Sequence, residues 1–230
     1  MTRPNRDLIR CLGHRFVGLL PGVGERRRQT LEYADAWRVA NDDARRQTAP
    51  LWVVLGDSTA QAVGATTRVR GYVGQVREWL QERDGCDWRV LNLSRTGATA
   101  GDVVAEQLPQ LATLGDAELV SCAVGANDLL RRRGDVTGAL ARIAEALPAG
   151  ALLANLPRGL RESRAVLINE EIKALVLRHG LRLVDLWATT GPPWRHKFSR
   201  DGFHPNDLGY QDWAAAFRAA LGEASRSSTS

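Results

Sequence analysis

Four short blocks of the chain carry residue types that could act together on one carbonyl carbon: Gly56-Asp57-Ser58, Gly97, Gly125-Ala126-Asn127-Asp128 and Asp201-Gly202-Phe203-His204. A serine hydroxyl attacks only when a base takes its proton. His204 suits that task, because a neutral imidazole titrates near working pH. Asp201, three residues earlier, can fold back within one turn, accept from Nδ1–H and leave Nε2 facing Ser58. Gly97 has no side chain to keep an oxyanion from its N–H, and the Asn127 amide can supply a further donor beside the N–H of Ser58 itself. Taken singly, each block also has an ordinary explanation. Gly-Asp-Ser is a common turn and helix cap, Gly97 could supply a positive φ, Asn127-Asp128 could cap a turn, and His204 before Pro205 could be a surface turn residue.

The elements that must position these blocks follow from hydrophobic patterning. Leu51 to Leu55 run without alternation into Gly56, as a strand buried on both faces does. Further short strands are expected at Trp88 to Leu93, Ala117 to Val124, Ala151 to Leu156 and Leu181 to Leu186. Helical spacing appears at Thr30 to Arg46, with Leu31, Ala34, Trp37 and Ala40 on one stripe, and again at Val69 to Arg83. Four more helices are expected near Asp102 to Leu111, at Val136 to Leu147, at Arg164 to Arg178 and at Asp207 to Leu221. Alternation of this kind predicts an α/β fold with right-handed crossovers and a five-stranded parallel sheet covered by helices on both faces. All four blocks then fall at strand carboxyl ends, on the edge where open α/β sheets bind ligands. Ser58 is expected at a strand-to-helix turn, with its N–H at a helix start.

The 230 residues, 44% hydrophobic, suffice for one large domain. We read 1–48 as a helical extension packed on or near that domain, 49–222 as the domain, and 223–230 as a flexible tail. The net charge of +5 permits contact with anionic partners, yet 29 of the 31 Lys and Arg residues are scattered Arg, and no nucleic-acid surface is indicated. Cys11, Cys86 and Cys122 are widely spaced and odd in number, which suggests neither a disulfide framework nor a zinc site. No apolar run is long enough to span a bilayer, and the N-terminal apolar stretch is broken by Arg10, His14 and Arg15, unlike a signal peptide. A cytoplasmic protein is expected. Residues 1–27 read either as a short docked helix or as an amphipathic segment in weak contact with a membrane surface.

In combination the four blocks resemble the SGNH hydrolase family, the GDSL esterases and lipases, from about Leu51 to Leu221. Asn92, His204-Pro205-Asn206, Gly209-Tyr210 and Trp213-Ala214 fit the same resemblance. Thr59 departs from it, since the name-giving pattern has Leu there. The resemblance implies a flavodoxin-like three-layer α/β/α sandwich and a small-molecule ester or thioester substrate. It further implies no metal or other cofactor, catalysis by Ser58, Asp201 and His204, and oxyanion donors from Ser58, Gly97 and Asn127. Acyl transfer to an alcohol or sugar, carbohydrate O-acetyl hydrolysis and a non-catalytic binding role are the alternatives. Other residues carry lesser expectations. Asp57 and Asp128 should brace their turns, and His179 reads as a cation at a helix C-terminus. Trp187 and Trp194 could wall a substrate site, with His196 on the same loop. Arg131 to Arg133 could meet an anionic group near Asn127. Acyl-chain length and oligomeric state are not encoded in any motif.

Overall fold

Leu51–Gly56 (β1) is buried at every position because it pairs on both sides, with Arg89–Asn92 (β2) and with Leu119–Ala123 (β3). The computed structural model describes residues 23–131, 134–159 and 161–227. Leu152–Ala154 (β4) and Arg182–Val184 (β5) complete one sheet in the order β2-β1-β3-β4-β5, with every pair parallel. In chain order the helices are α1 (Val23–Arg46), α2 (Tyr72–Asp84), α3 (Ala100–Asp102), α4 (Leu108–Leu111), α5 (Ala126–Arg131), α6 (Val136–Ala146), α7 (Glu162–Arg178), α8 (Leu186–Thr189) and α9 (Asp207–Ser227). A π turn, Val103–Gln107, joins α3 to α4.

Successive side chains of β1 point to opposite faces. Trp52 and Val54 join a core with Tyr33 and Trp37 of α1, Tyr72 and Val76 of α2, and Trp213 and Phe217 of α9. Val53 and Leu55 join a second core with Leu140 and Ile143 of α6, Leu153 of β4 and Ile172 of α7. Two apolar layers thus sandwich one sheet, the flavodoxin-like α/β/α arrangement, and the strand order puts a topological switch point beside β1. The Trp52 indole is fully buried and donates to Ser121 Oγ at 2.9 Å, so its polar atom costs nothing. Among the described residues, no helix is long and apolar enough to cross a membrane.

Several boundaries differ from the pattern-based expectation, each for a physical reason. The exposed face of α1 includes Leu31, 64% accessible, while its buried stripe is Tyr33, Trp37 and Ala44. The helix also begins at Val23, well before Thr30. Its early turns are polar and carry no apolar signal. Val69 lies on a separate 3-10 turn, Arg68–Arg70, and α2 starts only at Tyr72. Asn127-Asp128 belong to the short helix α5, where the sequence suggests a turn. Asp185 caps another short helix, α8, by accepting from the Ala188 N–H at 3.0 Å. The last helix continues to Ser227, into the segment read as tail. His14, Cys11 and the rest of 1–22, together with Arg132 and Arg133, lie outside the described residues.

Candidate active site

At the carboxyl end of β1 the chain makes no regular helix. The sequence places Ser58 at a helix start, but residues 58–64 form a run of tight turns, closed by Val63 N–H to Ser58 O at 3.0 Å and Ala62 N–H to Thr59 O at 3.1 Å. Ala62 takes a φ of +70°, which bends the chain away from helical continuation. Side chains fix this turn from several directions. Asp57 Oδ1 accepts from Thr59 N–H at 2.9 Å and Thr59 Oγ1 at 2.8 Å, so the residue that departs from the GDSL pattern braces the turn that carries Ser58. Gln107, projected by the π turn, bonds both the N–H and the carbonyl of Gly56, at 2.9 and 2.8 Å. Tyr210 of α9 donates its hydroxyl to Val63 O at 2.7 Å.

Ser58 Oγ lies 2.9 Å from His204 Nε2, and both residues are buried. His204 Nδ1 lies 2.7 Å from Asp201 Oδ2. The other carboxylate oxygen accepts from the N–H of Phe203 at 2.8 Å, the N–H of His204 at 2.9 Å and Ser199 Oγ at 2.9 Å. Burial opposes ionisation of Asp201, but the bonds from the His204 ring and from the His204 and Phe203 N–H groups outweigh it. They hold the carboxyl well below the usual carboxylate range. Asp57 goes the other way. Its burial pushes its carboxyl up, against the two Thr59 bonds and the nearby His204. The histidine loop is itself clamped. Asn206 accepts from the N–H groups of Leu208 and Gly209 at the start of α9, while its amide donates to the carbonyls of His196 and Phe198.

Among the described residues, neither the Ser58 N–H nor the Gly97 N–H has a hydrogen-bond partner. Gly97 adopts a φ of +77°, a conformation glycine reaches without strain. Asn127 is buried, with Nδ2 donating to Ala98 O at 3.0 Å and, over a long 3.4 Å, to Asp57 Oδ2. Asp128, expected to brace its own turn, instead accepts from Ala100 N–H at 3.0 Å and so ties the start of α3 to α5. The Arg131 guanidinium reaches 3.3 Å from where a Cβ on Gly97 would stand, at the exposed rim of these donors. Next to the serine turn, touched by Thr59 but not by Ser58 or His204, a cavity of about 240 Å³ has aromatic walls at Trp194, Phe198, Phe203 and Trp213 and charged ones at Arg158, Lys197 and Asp212. Trp194 is therefore part of its wall. Trp187 does not line it; its ring lies 5.3 Å from the guanidinium of Arg158, which does. His179 caps the end of α7, and His196 sits on a 3-10 turn outside that cavity. No group of three or more His, Cys, Asp or Glu suited to a metal occurs among the described residues.

The sequence pattern of the GDSL-like lipase/acylhydrolase family matches residues 54–211. The chain belongs to that family. It is accordingly a GDSL-type enzyme acting on ester bonds. TesA, in its crystal structure, is 25% identical over 74% of this chain and 97% of its own, with a TM-score of 0.62. LAE5, described as an α/β hydrolase enzyme from the metagenome of Lake Arreo in Spain, is 23% identical over 76% of this chain and 97% of its own, at 0.61. A family 3 carbohydrate esterase of Clostridium thermocellum shares the fold at 16% identity, covering 80% of this chain and 100% of its own, at 0.63. No curated protein matches the chain significantly. Set beside the GDSL match, the residues that sequence reasoning missed stand out: Gln107, Ser199, and the polar face of α1. None sits in a recognisable motif: Gln107 and the α1 face act by side-chain bonds to groups distant in sequence, and Ser199 by a bond to a carboxylate two residues on.

Proposed function

We propose that this GDSL enzyme hydrolyses carboxylic esters of short or medium acyl chains through an acyl-enzyme on Ser58. The observation that carries the reading is the unbroken relay from Ser58 Oγ to His204 Nε2 at 2.9 Å and from Nδ1 to Asp201 at 2.7 Å. Ser58 Oγ attacks the ester carbonyl while its proton passes to His204 Nε2. The resulting oxyanion takes hydrogen bonds from the unpaired N–H groups of Ser58 and Gly97. Asn127 Nδ2 becomes a third donor by giving up its long contact to Asp57. Collapse breaks the bond to the alkoxy oxygen, which leaves as the alcohol with the proton from His204. Water, deprotonated by the same ring, then releases the acid and restores Ser58. The mostly apolar lining beside Thr59 and Ala126 supports an apolar acyl group there.

Ser58→Ala is the direct test. It should abolish turnover of p-nitrophenyl esters and labelling by a fluorophosphonate while leaving the circular dichroism spectrum unchanged. Wild-type rates in that variant would overturn the reading. A panel from acetyl to long-chain esters, with thioesters included and an alcohol acceptor added, separates hydrolysis from acyl transfer and tests the chain-length proposal.

A further inference from the structure

We propose that Arg26, on the N-terminal helix, is a positioning residue for the triad, setting the Asp201 carboxylate and the acid limb of activity. This rests on the acyl-enzyme reading above. The same Oδ2 atom of Asp201 that faces His204 Nδ1 also accepts from Arg26 Nη1 at 3.3 Å. Regularly spaced hydrogen bonds hold the helix that carries Arg26 in place. Gln29 exchanges hydrogen bonds with Ala65 O and Gly64 N–H, at 2.8 and 2.9 Å, and Tyr33 donates to Ala65 O at 3.1 Å. Trp37 donates to Gln61 O at 3.3 Å. Positions 26, 29, 33 and 37 lie three or four residues apart, on one face of α1. That face is therefore bolted to the turn that carries Ser58, with Arg26 at its far end. The helix precedes residue 54, where the GDSL match begins.

Two consequences follow from a cation on that oxygen. It fixes the carboxylate's orientation, and its charge offsets part of the pull that Asp201 exerts on an imidazolium. The other groups bearing on the pair are Asp57 in the serine turn, the Tyr210 hydroxyl on α9, and Arg200, which lines a recess with Arg26 and Asp201. Without the Arg26 charge, the imidazolium gains stability and the base is lost to protonation at higher pH. Arg26→Gln should move the acid limb of kcat/KM upward by about half a pH unit. Its plateau kcat should fall about 3- to 10-fold with KM within about twofold. Arg26→Lys should keep the limb in place. A purely structural role would lower the melting temperature of both variants and leave the limb where it was. An Arg26→Gln profile superimposable on wild type, or a loss confined to KM, overturns the proposal. If wild type instead fails to hydrolyse nitrophenyl esters, or Ser58→Ala matches it, the acyl-enzyme reading falls and this inference with it.

Discussion

Gly64 lies so close to His204 that a Cβ built on it would stand 2.8 Å from the His204 Cβ and 2.4 Å from the Pro205 carbonyl oxygen. The end of the serine turn and the histidine loop thus meet without a side chain between them. Gly64 also has a φ of +99°, strained for any other residue. Gly64→Ala must move backbone, and the backbone it moves carries His204, the proposed base. We expect a loss of about 2–4 kcal/mol in urea unfolding. The kcat should fall by more than tenfold even at temperatures where the variant is folded.

Two buried tyrosines on facing helices give opposite expectations. Tyr210 donates its hydroxyl to Val63 O, whereas Tyr72 Oη is the one buried side-chain polar atom among the described residues that has no partner. Removing an unpaired hydroxyl relieves a desolvation cost, and removing a paired one strands a carbonyl. Tyr72→Phe should therefore be neutral or stabilising by up to about 1 kcal/mol. Tyr210→Phe should destabilise by about 1–2 kcal/mol and, because Val63 belongs to the serine turn, lower kcat as well. Paired urea denaturation curves decide it, and equal effects from the two substitutions would refute the argument.

Asn127 tests the oxyanion assignment with a distinct kinetic signature. Its amide donor would strengthen only as charge develops on the carbonyl oxygen, so Asn127→Ala should lower kcat by about 10²–10³-fold with KM little changed. The bond to Ala98 O goes too, and thermal stability should drop modestly. A variant that loses affinity for substrate at unchanged kcat would place Asn127 in substrate binding instead.

The fold was legible because its signal is apolar and repetitive. Leu51 to Leu55 announce a central strand, and the alternation that follows points to a parallel sheet, though not to its strand order, which the structure supplies. The first three blocks were legible because they follow β1, β2 and β3 and carry a glycine; the Asp201–His204 block, which α8 and a 3-10 turn separate from β5 rather than standing at its end, was legible through His204-Pro205 before the last helix. What escaped was polar and long-range. Arg26 and Gln29 lie on turns with no apolar stripe, so periodicity starts α1 too late. Gln107 looks like any helical glutamine until the π turn aims it at Gly56. The turn after Ser58 reads as a helix start because Gly-Asp-Ser serves both, and only the positive φ of Ala62 and the approach of Gly64 to the histidine loop decide between them.

Acid stability follows from the depressed ionisation of Asp201. A carboxyl whose folded-state value lies below its unfolded one contributes stability that is fully present above the unfolded value of about 3.9. That contribution is lost as pH falls toward the folded value. Asp102 and Asp84, also depressed by hydrogen bonds, act in the same direction, but they are common to wild type and an Asp201→Asn variant and cancel in their difference. Asparagine can still accept from the Phe203 and His204 N–H groups, so the variant should fold. The stability advantage of wild type over Asp201→Asn should thus be present at pH 5 and shrink steadily as pH is lowered from about 4 to about 2. Urea unfolding at a series of pH values reads it directly. A difference that stays constant across that range would mean the carboxylate's hydrogen bonds do not stabilise the folded state, and that Asp201 is held in place by the rigidity of its loop alone.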